Sequence, residues 1–98
     1  MNYVRNAMYP IKPGKTAEVQ KLFAAEVLPL MKKTPGFKHE LTLIKGDRLV
    51  GLSVWDNAQS AEKYQNVTFP TVIAKLNPFL AGAPVIEDWE LAATTLTA

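Results

Sequence analysis

Seven consecutive residues without a charge, Leu49-Val50-Gly51-Leu52-Ser53-Val54-Trp55, follow Arg48 and the short turn Lys45-Gly46-Asp47. The run reads as a strand over Arg48 to Trp55. A strand with one face in water alternates apolar and polar side chains. Here the even positions are Val50, Leu52 and Val54, and the odd ones are Leu49, Gly51, Ser53 and Trp55. Neither set suits water, so both faces of this strand are expected to be covered. Phe37 to Ile44 reads as its antiparallel hairpin partner, with Leu41 and Leu43 on one side and Thr42 and Ile44 on the other.

Proline and glycine divide the rest of the chain. Tyr3 to Ile11 reads as a first strand that stops at Lys12-Pro13-Gly14-Lys15. Pro10 cannot donate to a ladder, so it belongs at a strand end or a bulge. Thr16 is the expected N-cap of a helix on which Val19, Leu22, Phe23, Val27, Leu30 and Met31 recur at helical spacing. Pro29 should kink or break it, and Pro35-Gly36 closes it. Asp56-Asn57-Ala58-Gln59 resembles a capping box with Asp56 as cap. A short helix then runs to about Tyr64, and Thr68-Phe69-Pro70 restarts a helix that Pro78 and Gly82 end. Pro84 to Leu91 is the last strand. The tail Ala92–Ala98 is expected to fray at its end. No repeat or linker is evident. The order is βαββαβ, an α+β ferredoxin-like fold with a four-stranded antiparallel sheet and both helices on one face.

The 98 residues make one domain, 1–98, with 48% apolar residues, generous for so thin a core. The uncovered sheet face is expected to pair with the same face of a second copy, giving a homodimer. A net charge of +2, with basic residues scattered beside turns, leaves no footprint for nucleic acid. The absence of cysteine excludes disulfides, thiolate metal sites and a cysteine nucleophile. No run is long enough to span a membrane, and the start lacks the pattern of a signal peptide, so a cytoplasmic location is expected. Ser53 and Ser60 lack a nucleophile-elbow context, and no glycine-rich phosphate loop is present.

Three segments taken together resemble the antibiotic biosynthesis monooxygenase family of the dimeric α/β-barrel superfamily. They are Lys12-Pro13-Gly14-Lys15, Thr34-Pro35-Gly36-Phe37 and Leu52-Ser53-Val54-Trp55-Asp56. The likeness covers most of the chain. It implies a dimer whose two sheets form a barrel, and a pocket between each sheet and its own helices. It also implies oxygenation of electron-rich aromatics such as anthrones or quinols without metal or flavin, the substrate acting as reductant. Polyketide oxygenases of the family carry an Asn four residues before the strand-ending Trp and a Tyr six residues after it. Here those positions are Gly51 and Ala61, and Tyr64 comes three residues later. Haem-degrading members use a helix His that Phe69–Leu80 does not contain.

The candidate catalytic residues are His39 and Arg5. His39, between Lys38 and Glu40, is the one side chain with an ordinary pKa near neutrality and is placed at the pocket mouth. A lone His without acidic or His companions does not make a metal site. Parity with Tyr9 and Ile11 turns Arg5 rather than Asn6 to the pocket, where it can bind a carboxylate or phenolate; otherwise it pairs with an acid such as Glu87. Trp55, Ser53, Gly51 and Tyr64 are the candidate substrate-binding residues. The small Gly51 and Ser53 either open a pocket or let the first helix pack closely, and the Trp55 indole N–H needs a partner that a ligand can supply. The expected function is a cofactor-independent monooxygenase for a small aromatic or quinol-like compound. The rival readings are a non-catalytic binding protein for a small hydrophobic ligand and an isomerase or cyclase on the same scaffold.

Overall fold

The computed structural model describes residues 2–96; Thr97 and Ala98, where the tail is expected to fray, lie outside them. Four strands, β1 (Tyr3–Pro10), β2 (Phe37–Lys45), β3 (Arg48–Trp55) and β4 (Val85–Glu90), form one antiparallel sheet in the order β2-β3-β1-β4. Between β1 and β2 lies a helical run made of α1 (Thr16–Leu22), a π turn (Phe23–Val27) and α2 (Leu28–Lys32). Between β3 and β4 lies its counterpart, made of α3 (Ala58–Lys63), a π turn (Tyr64–Thr68), α4 (Phe69–Leu76) and a 3-10 turn (Asn77–Phe79). This is the ferredoxin-like α+β fold. Tyr9 on β1 meets Phe23 of the first run and Phe69 of the second, so both runs cover the same face of the sheet.

The prolines do not break these runs. Pro29 and Pro70 have no N–H to give, and each ring crowds the carbonyl four residues back. The chain widens by one residue instead. Leu28 N–H donates to the Phe23 carbonyl and Phe69 N–H to the Tyr64 carbonyl, each bond spanning five residues just before the proline. Two caps also differ from expectation. Lys15, not Thr16, stands at the N-cap, and the Thr16 hydroxyl instead donates to the Gly46 carbonyl of the β2–β3 turn (3.2 Å). Asn57, not Asp56, caps α3, its Oδ1 accepting from Ser60 N–H (2.8 Å). Asp56 is drawn one residue outside the helix because its N–H donates to the Gly36 carbonyl (2.9 Å).

Strand register sorts the side chains into rows. Facing the helices lie Tyr3-Trp55-Phe37, then Asp88-Arg5-Ser53-Glu40, then Ile86-Ala7-Gly51-Thr42, then Tyr9-Leu49-Ile44. On the other face lie Trp89-Val4-Val54-His39, Glu87-Asn6-Leu52-Leu41 and Val85-Met8-Val50-Leu43. That face stays open in the single chain and is mostly apolar, with Leu43 49%, Val85 55% and Trp89 54% exposed.

Gly36 locks the start of β2 to α3. Its φ of +87° lies in the left-handed region, and a Cβ there would overlap the Ser60 side chain and come within 2.6 Å of Asp56 Oδ1. Gly36→Ala is therefore expected to cost about 2–4 kcal/mol in denaturant unfolding. A loss below about 0.5 kcal/mol, the range of ordinary surface substitutions, would mean that the turn relaxes at little cost.

Candidate functional site

The second and third helix-facing rows make the site. Ala7, Gly51 and Thr42 form a strip of small side chains across β1, β3 and β2. Next to it Arg5 and Glu40 rise from opposite sides of Ser53. With strands about 4.8 Å apart, their backbones are separated by about 10 Å, a gap that two long side chains can close. The helices supply the roof. Phe23 lies 3.4 Å from where a Gly51 Cβ would stand, and Tyr64, Gln65 and Phe69 come from the second π turn and the start of α4.

Arg5 is 3% exposed. Its Nε donates to Gln65 Oε1 (3.1 Å), as does its Nη2. Its guanidinium carbon lies 4.3 Å from the Phe69 ring centre and 5.2 Å from that of Tyr64. Among the described residues no carboxylate comes within 4 Å of it. Glu87, the partner considered from sequence, faces the opposite side of the sheet. Asp88 shares the Arg5 row but is exposed on the edge strand. The cation is thus held by a neutral amide and two ring faces, with the Tyr9 hydroxyl beside it. Those contacts soften the cost of burying a charge without replacing a counter-ion.

Glu40 has the complementary problem. Its Oε2 accepts from the Thr42 hydroxyl (3.1 Å), while Oε1 is buried with no partner among the described residues. Burial raises its pKa to about 8, the Thr42 bond and the Arg5 charge opposing only in part. The carboxyl is therefore mainly neutral at pH 7. It lies directly over Gly51, where a Cβ would come within 2.9 Å of Oε2. Tyr9 is pushed up to about 12 by burial. Burial, then the proximity of Tyr9, also raises Tyr64, against the pull of Arg5. Beside Thr42, a groove of about 150 Å³ lined by Gln20, Phe23, Ala24, Leu28, Thr42 and Ile44 reaches the surface. Among the described residues, no three His, Asp or Glu side chains gather as metal ligands.

Of the residues singled out from sequence, Arg5, Gly51, Ser53, Trp55 and Tyr64 come together on the helix side. Trp55 is fully buried between Tyr64 (5.0 Å between ring centres) and Phe37 (5.5 Å). Its N–H donates to Ser53 Oγ (2.8 Å), and the Ser53 hydroxyl donates to the Arg5 carbonyl (3.3 Å). The indole is thus satisfied from within, and Trp55 backs the site from inside the core. His39 does not join the cluster. A bulge between Phe37 and His39 sets two steps of β2 against one of β3. Phe37 therefore packs on Trp55 while His39, opposite Val54, lies on the other face. Sequence reasoning missed Glu40 and Gln65. Glu40 alternates with Thr42 and Ile44, and a carboxylate on the helix-facing side of a strand was the available signal.

No family model matches the chain, and no curated protein matches it. Solved structures do. A protein of unknown function from Nitrosomonas europaea superposes with a TM-score of 0.84 at 23% identity, over 99% of this chain and 95% of that one. The ActVA-Orf6 monooxygenase of Streptomyces coelicolor, solved with nanaomycin D, gives 0.77 at 17% identity, over 99% and 93%. SnoaB, a cofactor-independent oxygenase from Streptomyces nogalater, gives 0.79 at 15% identity, over 96% of each chain. The chain has the fold of the antibiotic biosynthesis monooxygenases. At these identities the likeness speaks for architecture, and the chemistry must come from the side chains.

The Glu40 carboxyl makes stability depend on pH. Its folded pKa of about 8 lies above the ordinary 4.5, so the native state holds the proton more tightly than the unfolded one. Its contribution is therefore fully present below about pH 4.5 and is lost as pH rises through about 8. Glu40→Gln removes this dependence. Between pH 5 and pH 9 the wild type should lose on the order of 2–4 kcal/mol relative to the variant, read from urea unfolding of both. Parallel curves would mean that Glu40 is ordinarily acidic.

Proposed function

We propose that the chain is a cofactor-independent monooxygenase for a small aromatic, quinol-like compound bound between the sheet and its helices, with an acidic oxygen on Arg5. The observation that carries this reading is the buried guanidinium without a carboxylate partner among the described residues. A cation in such surroundings favours a ligand that brings negative charge in a planar, apolar body. A phenolate or enolate fits, because Phe69 and Tyr64 offer ring faces beside the charge. The structural neighbours named as monooxygenases support the same reaction class.

The chemistry asked of the site is modest. Oxidation of an activated methylene by dioxygen gives a carbonyl and water, all four electrons coming from the carbon. Ionising a conjugated hydroxyl raises the electron density of the ring system, so that the substrate can give an electron to oxygen. Arg5 stabilises that anion where water is excluded, and the buried aromatic wall keeps the electrostatic interaction strong. Oxygen uptake should appear with one or more members of a panel of anthrones and quinols in the presence of a chelator. Arg5→Met should lower kcat/KM by roughly 10- to 100-fold, the worth of a hydrogen bond to a charged group. Uptake unaffected by Arg5→Met would remove Arg5 from the site. Binding without any uptake would favour a ligand-binding module.

The open sheet face completes the reading, because the chain works as a homodimer through it. Val85, Met8, Val50 and Leu43 form an uncharged row, and Leu52 and Leu41 of the next row extend the apolar surface. Monomers rarely leave so much contiguous apolar surface in water. Val50→Arg sets a charge in the middle of this face. The wild type should run as a dimer in light scattering at micromolar concentration and the variant as a monomer. A dimeric variant would exclude face-to-face pairing.

A further inference from the structure

We propose that Glu40 is the general base of this site, taking the hydroxyl proton of the bound aromatic compound while Arg5 holds the oxygen left behind. This rests on the reading of Arg5 given above and adds the group that moves the proton. One carboxyl oxygen is engaged and the other is not: Oε2 accepts from Thr42, and Oε1 is enclosed with no partner among the described residues. A buried polar atom in that condition is costly unless something completes it. The carboxyl rests over Gly51, at the one position of the strip where a side chain would displace it. Across the row, Ser53 separates it from Arg5, and Ser53 is itself committed to Trp55 and to the Arg5 carbonyl. A hydroxyl lying over Ser53 therefore has a proton acceptor on one side and a cation on the other. The groove beside Thr42 shares Thr42 and Phe23 with the surroundings of Glu40.

The groups that face Glu40 are few. Arg5 and Tyr9 come from β1, Thr42 from its own strand, Phe23 from the first π turn and Tyr64 from the second. Only Arg5 carries a charge at neutral pH, since both tyrosines are held neutral by burial. A carboxyl titrating near 8 is a stronger base than an ordinary glutamate and is matched to a phenol in a way that an acid at 4.5 is not. In the step, which needs the ionised carboxylate that forms as pH rises through about 8, the substrate O–H bond breaks and leaves its electron pair on the substrate oxygen. A new O–H bond forms at Glu40 Oε1. Nothing is oxidised or reduced until oxygen enters.

The test is binding of 4-ethylphenol without oxygen at a pH of about 9, between the Glu40 value and that of an ordinary phenol near 10. Ultraviolet absorbance reports whether the bound probe is ionised. Calorimetry in two buffers of different ionisation heat reports whether a proton is released. The wild type should bind the phenolate form with no net release. Glu40→Gln, which has the shape of the neutral acid, should release about one proton per probe bound and bind roughly tenfold more weakly. Equal release from both proteins would send the proton to water and overturn the proposal. Absence of a phenolate spectrum from either protein would overturn the Arg5 reading, and this proposal with it. Thr42→Val keeps the carboxyl and removes the bond that favours its ionised form. It should raise the pH at which the probe binds without release, and an unchanged pH would also count against Glu40.

Discussion

Two prolines without an N–H to give determine where the aromatic side chains of this protein lie. On the first helical run the buried positions are Val19, Phe23, Val27 and Met31, spaced four apart throughout. At 3.6 residues per turn, those twelve residues would carry Met31 about 120° away from Val19. One extra residue in the π turn before Pro29 cuts the drift to about 20° and keeps all four on the sheet. On the second run the buried positions step by three, five, three and four, from Ala61 to Tyr64, Phe69, Val72 and Leu76. The step of five is the π turn before Pro70. Phe23 and Tyr64 each open a π turn six residues before a proline and reach the same strip of the sheet from the two halves of the fold. The device that repairs the missing hydrogen bond also roofs the site.

Under that roof the two ionisable groups are not arranged as an ion pair. A bidentate Arg–carboxylate contact would satisfy both. Instead Arg5 is turned onto Gln65 and the rings, and Glu40 onto Thr42. The result is a fixed cation with no counter-ion among the described residues and a carboxyl that burial keeps mainly protonated near neutrality. Each leaves part of its solvation unreplaced, a cost that structural ion pairs avoid. Such a cost is met at places where a ligand supplies the missing partner.

The order of elements was legible because proline and glycine punctuate the chain at nearly every boundary. The charge-free run Leu49–Trp55 also revealed a sheet with two apolar faces. Parity on β1 turned Arg5 inward because no bulge interrupts that strand between Tyr3 and Pro10. On β2 the same reasoning fails at one point, since the bulge after Phe37 flips the phase and sends His39 to the open face. Nothing in Phe37-Lys38-His39-Glu40 announces it: these four residues include no glycine or proline that would mark an extra residue in the strand. For the π turns the prolines marked the positions but not the remedy, since the sequence predicts a kink or break at Pro29 and a restart of the helix at Thr68-Phe69-Pro70. Gln65 was hidden because its role depends on the wider turn.

The departures at Gly51 and Ala61 acquire a physical reason from Glu40 and Tyr64. The resemblance implies a polar amide on β3 at position 51, facing the helices. Here that position has no side chain, and the carboxyl of Glu40 reaches over it from the neighbouring strand. A side chain at 51 and a carboxyl in this pose exclude each other, because even one methyl group would stand 2.9 Å from Oε2. Likewise Ala61 lacks the ring the resemblance implies there. Tyr64, one turn further along the same inward face, supplies a buried ring 5.0 Å from Trp55. In this chain the polar side chain beside position 51 comes from β2, and the phenol beside Trp55 comes from one helical turn beyond position 61. A carboxyl can exchange a proton where an amide cannot, and on this row the one carboxyl facing the helices and buried is that of Glu40.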